Sequence, residues 1–210
     1  MIKILIADDH AIVREGLKQI LAETSDMVVS GEAATGQEVL EQVRKDDCDL
    51  VLLDISMPGR GGLDTLKELK RERPDLPVLV LTMHPEEQYA IRAFKAGVSG
   101  YLTKESAPEE LISAIRRVSQ GGKYVSSFLA EKLAFHLEKG TEKPLHEILS
   151  DREYQVILMI ASGKTVKEIA QMLSLSVKTI STNRTRALNK MGMKNNAEVT
   201  YYAIKQGLVS

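Results

Sequence analysis

Three carboxylates, a hydroxyl and an ammonium group each stand just behind a short apolar run in the first half of this chain. Ile2 to Ala7 leads into Asp8 and Asp9, and Leu50 to Leu53 leads into Asp54. Val78 to Leu81 leads into Thr82, and Val98 to Thr103 leads into Lys104. A carboxylate can attack phosphorus and form an acyl phosphate. That attack brings like charges together, so it calls for a divalent cation. Asp8 and Asp9 offer the hard oxygen ligands that magnesium prefers. Lys104 would pair with one phosphoryl oxygen and Thr82 would donate to another. Each residue alone reads blandly, since strand-end aspartates often cap helices and lysines are usually solvated. Their succession is what points to a phosphoryl and metal site.

The elements that must carry these groups follow from periodicity. Strand-like runs are Ile2–Ala7, Met27–Ala33, Leu50–Asp54, Val78–Thr82 and Gly100–Leu102. Helix-period stretches lie between them, with Val13, Leu17, Ile20 and Leu21 as the first apolar face. The spacing predicts an α/β fold, a doubly wound five-stranded parallel sheet whose strands deliver polar groups to one edge. The helix at about Glu86 to Lys95 has a thin apolar face of Ala90, Ala93 and Phe94. After Gly121-Gly122 the alternation stops. Residues 121–147 read as a linker with one short helix, built on Phe128, Leu129, Leu133, Phe135 and Leu137. From 148 to 210 only helical signals remain, opened by Ser150 and Glu153 at capping-box spacing. A short helix, a Ser174-Leu175-Ser176 turn and a longer basic helix form an all-α helix-turn-helix domain.

Charge divides along the same lines. Residues 1–120 hold 15 basic and 21 acidic side chains, whereas 149–210 hold 9 and 4. An acidic half joined to a basic one implies two tasks, the basic one directed at nucleic acid. The single Cys48 excludes an intrachain disulfide and reads as a buried, inert thiol. No apolar run approaches the ~20 residues of a membrane span, and no signal-peptide pattern opens the chain. These features point to a cytoplasmic protein with no membrane partner.

The motifs A-D-D-H at 7–10, L-L-D-I-S-M-P-G at 52–59, L-T at 81–82 and G-Y-L-T-K at 100–104 resemble a bacterial response-regulator receiver domain. The resemblance covers residues 1–120 and implies a flavodoxin-like phosphoacceptor domain. It implies that Asp54 accepts a phosphoryl group from the phosphohistidine of a sensor histidine kinase. Asp9, Asp54 and the backbone carbonyl of Ser56 would ligate Mg2+, with Asp8 acting partly through water. Thr82 and Tyr101 match the family's switch pair, the hydroxyl moving to the phosphoryl group and the ring turning inward behind it. Many receivers have proline after the lysine; Glu105 stands there, leaving the Lys104–Glu105 bond open between cis and trans. The resemblance also places Ser56 and His84 at positions that influence how long the phosphate survives, whereas for a direct role in catalysis His84 reads as a plain surface histidine.

In the basic helix, Val177, Ile180, Ala187, Leu188 and Met191 share one face and are expected inward. Lys178, Thr182, Thr185, Arg186 and Asn189 lie opposite, with Ser181 at the margin and Arg184 nearer the apolar side. A face of short hydroxyls and basic groups suits a DNA major groove. L-S-D-R-E at 149–153, G-K-T-V-K-E-I-A at 163–170 and L-S-L-S-V-K-T-I at 173–180 resemble the LuxR-type helix-turn-helix. With a receiver, this is the NarL/FixJ class. The resemblance makes Ser181, Thr182 and Thr185 base-facing and gives Lys178, Arg186, Asn189 and Lys190 to phosphates. The last helix, with Val199, Tyr201 and Tyr202, would serve a dimer contact on DNA or pack the core.

The expectation is a non-enzymatic, phosphorylation-switched transcription regulator that binds double-stranded promoter DNA, as a homodimer when phosphorylated. Its aspartyl phosphate would be a signal. A haloacid dehalogenase-type phosphatase needs a second acid two residues after the nucleophile, and Ser56 stands there. The remaining alternative is a helix-turn-helix that binds another regulator instead of DNA.

Overall fold

The computed structural model describes residues 1–45, 47–59, 61–127, 129–131 and 144–209. Two compact units, Met1–Ala130 and Glu131–Ser210, divide the chain. In the first, β1 (Ile2–Ala7), β2 (Met27–Ala33), β3 (Leu50–Leu53), β4 (Val78–Thr82) and β5 (Gly100–Thr103) form one sheet. All neighbours pair in parallel, in the order β2-β1-β3-β4-β5. Five helices connect or follow them: α1 (Ala11–Ala22), α2 (Gly36–Lys45), α3 (Gly62–Glu72), α4 (Glu86–Lys95) and α5 (Pro108–Ser119). The strand order reverses beside β1, so the carboxyl ends of β1 and β3 flank the crevice where such sheets bind ligands.

β3 and β4 are buried at every position, as strands covered by helices on both faces must be. Leu17 and Leu21 of α1 join Ile4, Ile6, Leu50, Leu52 and Leu79 in one cluster, with Leu111 and Ile115 of α5. The thin face of α4 is completed by Tyr89, which is buried with Ala90 and Ala93, while Phe94 is only partly covered. Gly62 opens α3 against the end of β3. A Cβ there would lie 2.3 Å from Ile55 Cα and 2.8 Å from the Asp54 carbonyl oxygen. Only glycine permits that approach.

The unit continues into the stretch read as linker. The Tyr124 N–H donates to the Ser99 carbonyl at 2.9 Å, and Tyr124 bridges Gly100 of β5 in parallel. Its hydroxyl donates to Glu110 at 2.9 Å, and Ser126 donates to Glu86 at 2.5 Å. Leu129 is buried. The expected helix on Phe128, Leu133, Phe135 and Leu137 otherwise falls outside the described residues.

The second unit is helical. A 3-10 turn at Leu145–Ile148 precedes α6 (Asp151–Ala161), α7 (Val166–Met172), α8 (Val177–Met191) and α9 (Asn196–Lys205). Capping boxes start α6 (Ser150 and Glu153) and α7 (Thr165 and Glu168), while Ser176 caps α8. Each satisfies amide groups that a helix start leaves without partners. Gly192 ends α8 with φ 68°, the left-handed conformation that favours glycine. Val156, Ile160, Ile169, Leu173 and Ile180 form the core between α6, α7 and α8.

Candidate functional site

Asp8 and Asp54 reach the same point from adjacent strands because β1 and β3 pair in register, Ala7 opposite Leu53. Both are 2% exposed. Lys104, directly after β5, extends its Nζ to 2.6 Å from Asp54 Oδ2 and 2.6 Å from Asp8 Oδ2. Burial works against the ammonium, but the two carboxylates outweigh it and hold the Lys104 pKa above the ordinary lysine value. The other Asp54 oxygen accepts from the Ser56 amide at 2.9 Å. Asp9 remains partly open, and its Oδ1 is buried without a hydrogen bond among the described residues.

Thr82 closes the other side. Among the described residues its Oγ1 has only long partners, Ser56 Oγ and the His84 amide, each at 3.4 Å. The Tyr101 ring is fully buried, and its hydroxyl donates to the His84 carbonyl at 3.0 Å. His84 is not the surface residue the sequence suggested. It is half-buried against Tyr89, with ring centroids 4.7 Å apart, and burial lowers its pKa although Asp54 opposes the shift. The Lys104–Glu105 bond is trans.

In the helical unit, Lys178, Thr182, Thr185, Arg186 and Asn189 are exposed on α8, with Ser181 at the margin of that face. The Thr182 hydroxyl donates to the Lys178 carbonyl at 2.9 Å, one turn back along the helix. Arg184 lies to the side and donates to Asn196 at 2.7 Å. Lys190 does not stand free for phosphate: its Nζ donates to Glu153 at 2.7 Å. Val177, expected inward, is 50% exposed because it occupies the first helical position, ahead of the turn that packs on α6 and α7. On α9, Val199 is core, Tyr201 is exposed, and the Tyr202 hydroxyl lies 2.9 Å from His146 Nδ1.

A family model described as the response regulator receiver domain matches residues 4–116. The chain belongs to the response regulator family. A second model, bacterial regulatory proteins of the luxR family, matches residues 147–203 of this response regulator. It is 40% identical to the response regulator UvrY of Escherichia coli K12 across 99% of this chain and 96% of that one. It is 38% identical to the response regulator GacA of Pseudomonas aeruginosa, covering 100% and 98%. A solved structure of RcsB from Salmonella typhimurium matches with a TM-score of 0.68 at 29% identity, covering 98% of each chain. RcsB bound to the rprA promoter with the phosphomimetic BeF3− matches at 0.66 and 30% identity, covering 96% and 97%.

Two contributors to the response regulator's sites escaped the sequence reading. Glu153 was read only as half of a capping box, yet it is also the acceptor that engages Lys190 across 37 residues. Tyr89 shapes the wall around His84, and no local pattern ties it to the phosphoryl site. The donor set suits Mg2+: three carboxylates converge with His10, their candidate ligand atoms all within 4.8 Å of one another. The unpartnered Asp9 oxygen is what a hard cation would take up.

Proposed function

We propose that this response regulator is switched by phosphorylation of Asp54 and, so switched, dimerises on promoter DNA and regulates transcription from the cytoplasm. The observation that carries the reading is the grip on Asp54: a buried carboxylate held by Lys104 at 2.6 Å and by the Ser56 amide at 2.9 Å. Both donors fix the carboxylate's orientation. An Asp54 oxygen attacks the phosphorus of a kinase phosphohistidine; the new O–P bond forms as the P–N bond breaks, and the imidazole leaves.

Asp9, Asp54 and the Ser56 carbonyl would hold Mg2+, with Asp8 beside them. Bound Mg2+ supplies positive charge that offsets repulsion between the carboxylate and the incoming phosphoryl oxygens. Lys104 then pairs with a phosphoryl oxygen. The Thr82 hydroxyl, with only 3.4 Å partners to give up, is drawn to another. Tyr101 sits behind it, bonded to the loop that begins at Thr82. Adding a dianion with three acceptors is enough to reorder such a loop.

On α8, Ser181, Thr182 and Thr185 face base edges, while Lys178, Arg186 and Asn189 hold phosphates. Promoter binding measured with and without a small phosphoryl donor and Mg2+, for the wild type and Asp54→Asn, tests the reading. The donor should tighten binding by the wild type alone. An unchanged wild type sinks the switch, and no DNA binding under any condition sinks the transcriptional role.

A further inference from the structure

We propose that Arg14 is a positioning residue for the metal side of the phosphoryl pocket. It clamps the Asp8 carbonyl, is itself clamped by Glu32, and so fixes the direction in which Asp9 presents its carboxylate to Mg2+. This inference rests on the metal reading above and adds to it a residue that touches neither the metal nor the phosphoryl group.

Arg14 is the fourth residue of α1, and its side chain runs back past the start of the helix, leaving it 18% exposed. Its Nη1 donates to the Asp8 carbonyl at 2.7 Å. Its Nε donates to Glu32 Oε2 at 3.0 Å, and the other Glu32 oxygen accepts from Lys18 at 2.7 Å. Lys18 stands four residues beyond Arg14, on the same helix face, so Glu32 of β2 grips α1 at two points. The guanidinium is a rigid fork, held here between an outer strand and the loop that carries the aspartates.

The Asp8 carbonyl belongs to the planar peptide that joins Asp8 to Asp9. Fixing that plane fixes where the Asp9 side chain leaves the backbone. Asp8 has other anchors: its amide donates to the Ala33 carbonyl at 3.0 Å, and its carboxylate accepts from the His10 amide and Lys104. Asp9 has fewer. Its carboxylate accepts from no backbone amide among the described residues, and the His10 ring is its close neighbour, with Nδ1 3.0 Å from Oδ1. The aim of Asp9 is therefore set by the peptide before it, which Arg14 holds. Groups that orient a ligand in this way commonly govern metal affinity.

The sign of the effect separates positioning from charge. A guanidinium beside a divalent site repels the cation, so by charge alone its removal would tighten Mg2+ binding. Loss of a clamp weakens it.

Calorimetric titration of the full-length protein with Mg2+, for the wild type, Arg14→Met, Arg14→Lys and Glu32→Ala, tests the assignment. Arg14→Met keeps the apolar stem and should weaken Mg2+ binding roughly tenfold or more. Arg14→Lys should weaken it too, because one ammonium cannot reproduce two directed N–H bonds. Glu32→Ala leaves Arg14 unheld and should cost roughly threefold, adding little in the Arg14→Met background because the two residues act as one unit. Phosphorylation of Arg14→Met by a small donor should need more Mg2+ yet reach the wild-type rate once Mg2+ saturates, an outcome that general damage to the fold would not give. Melts without Mg2+ check folding, and Glu32→Ala decides if Arg14→Met does not fold. Unchanged or tightened Mg2+ binding in the deciding variant, wild-type affinity in Arg14→Lys, or a rate deficit that persists at saturating Mg2+ overturns the inference and leaves the Mg2+ site standing. A wild type that binds no Mg2+ removes both.

Discussion

The ammonium of Lys190 donates to Glu153 Oε2 at 2.7 Å, tying the late turns of α8 to the first turn of α6. The same carboxylate accepts from the Ser150 amide at 2.8 Å, so one buried group serves a helix cap and an interhelical pair. Lys190 therefore holds α8 on its support.

Two substitutions on α8 should separate accordingly. Lys190→Met should cost the helical unit about 1–2 kcal/mol, because Glu153 is left buried without its cation. Arg186→Ala should leave stability within ~0.5 kcal/mol and lower the slope of log affinity against log salt by about 0.9. Thermal melts and DNA titrations over a salt series check both. A larger slope change for Lys190→Met than for Arg186→Ala would reverse the assignment.

Glu153 also sets a pH limit. Burial would raise its pKa, but Lys190 and the Ser150 bonds prevail and hold it below the ordinary glutamate value of 4.5. A carboxylate with a depressed folded pKa stabilises fully above its unfolded value and loses that contribution as pH falls through the folded one. Melting of the helical unit should therefore weaken as pH drops below 4.5, and Glu153→Gln should flatten that limb while lowering stability at neutral pH.

In the receiver, Lys104 pairs with two buried carboxylates at once. Lys104→Ala should destabilise the unit by about 3 kcal/mol, since removing one partner of a buried pair leaves uncompensated charge. Millimolar Mg2+ should restore much of the loss by binding only the folded form. Denaturant titration with and without Mg2+ measures this, and an equal deficit in both conditions refutes it.

Val177 and Ile180 are both apolar on α8 and differ in burial, 50% against 0% exposed. Val177→Ala should change stability by less than ~0.5 kcal/mol, whereas Ile180→Ala should cost about 2–5 kcal/mol. Chemical denaturation distinguishes the two.

Much of the receiver was legible because its chemistry sits at strand ends. Parallel pairing in register brings Asp8 and Asp54 together, and a run of apolar residues before each polar group encodes that pairing. The inward-facing positions Ile180, Ala187, Leu188 and Met191 were legible from helical period. Val177 was not, because periodicity gives the direction of a side chain and says nothing of where the neighbouring helices stop. The family resemblance gives Lys190 to phosphate, and the carboxylate that engages it lies 37 residues away. His84 was misjudged because Tyr89, five residues on, covers it only once α4 has folded.

The Tyr124 bridge bears on how copies of this protein avoid adhering to one another. A sheet presents two outer strands, and bare backbone on either invites pairing with another molecule. Tyr124 and Ser99 occupy backbone groups at the start of β5, and a Cβ on Gly100 would meet Tyr124 Cβ at 2.9 Å. The other outer strand, β2, has its own defence in Glu32, paired with Arg14 and Lys18. Loss of Tyr124 would thus expose a fresh templating edge and shift the hazard from unfolding to aggregation.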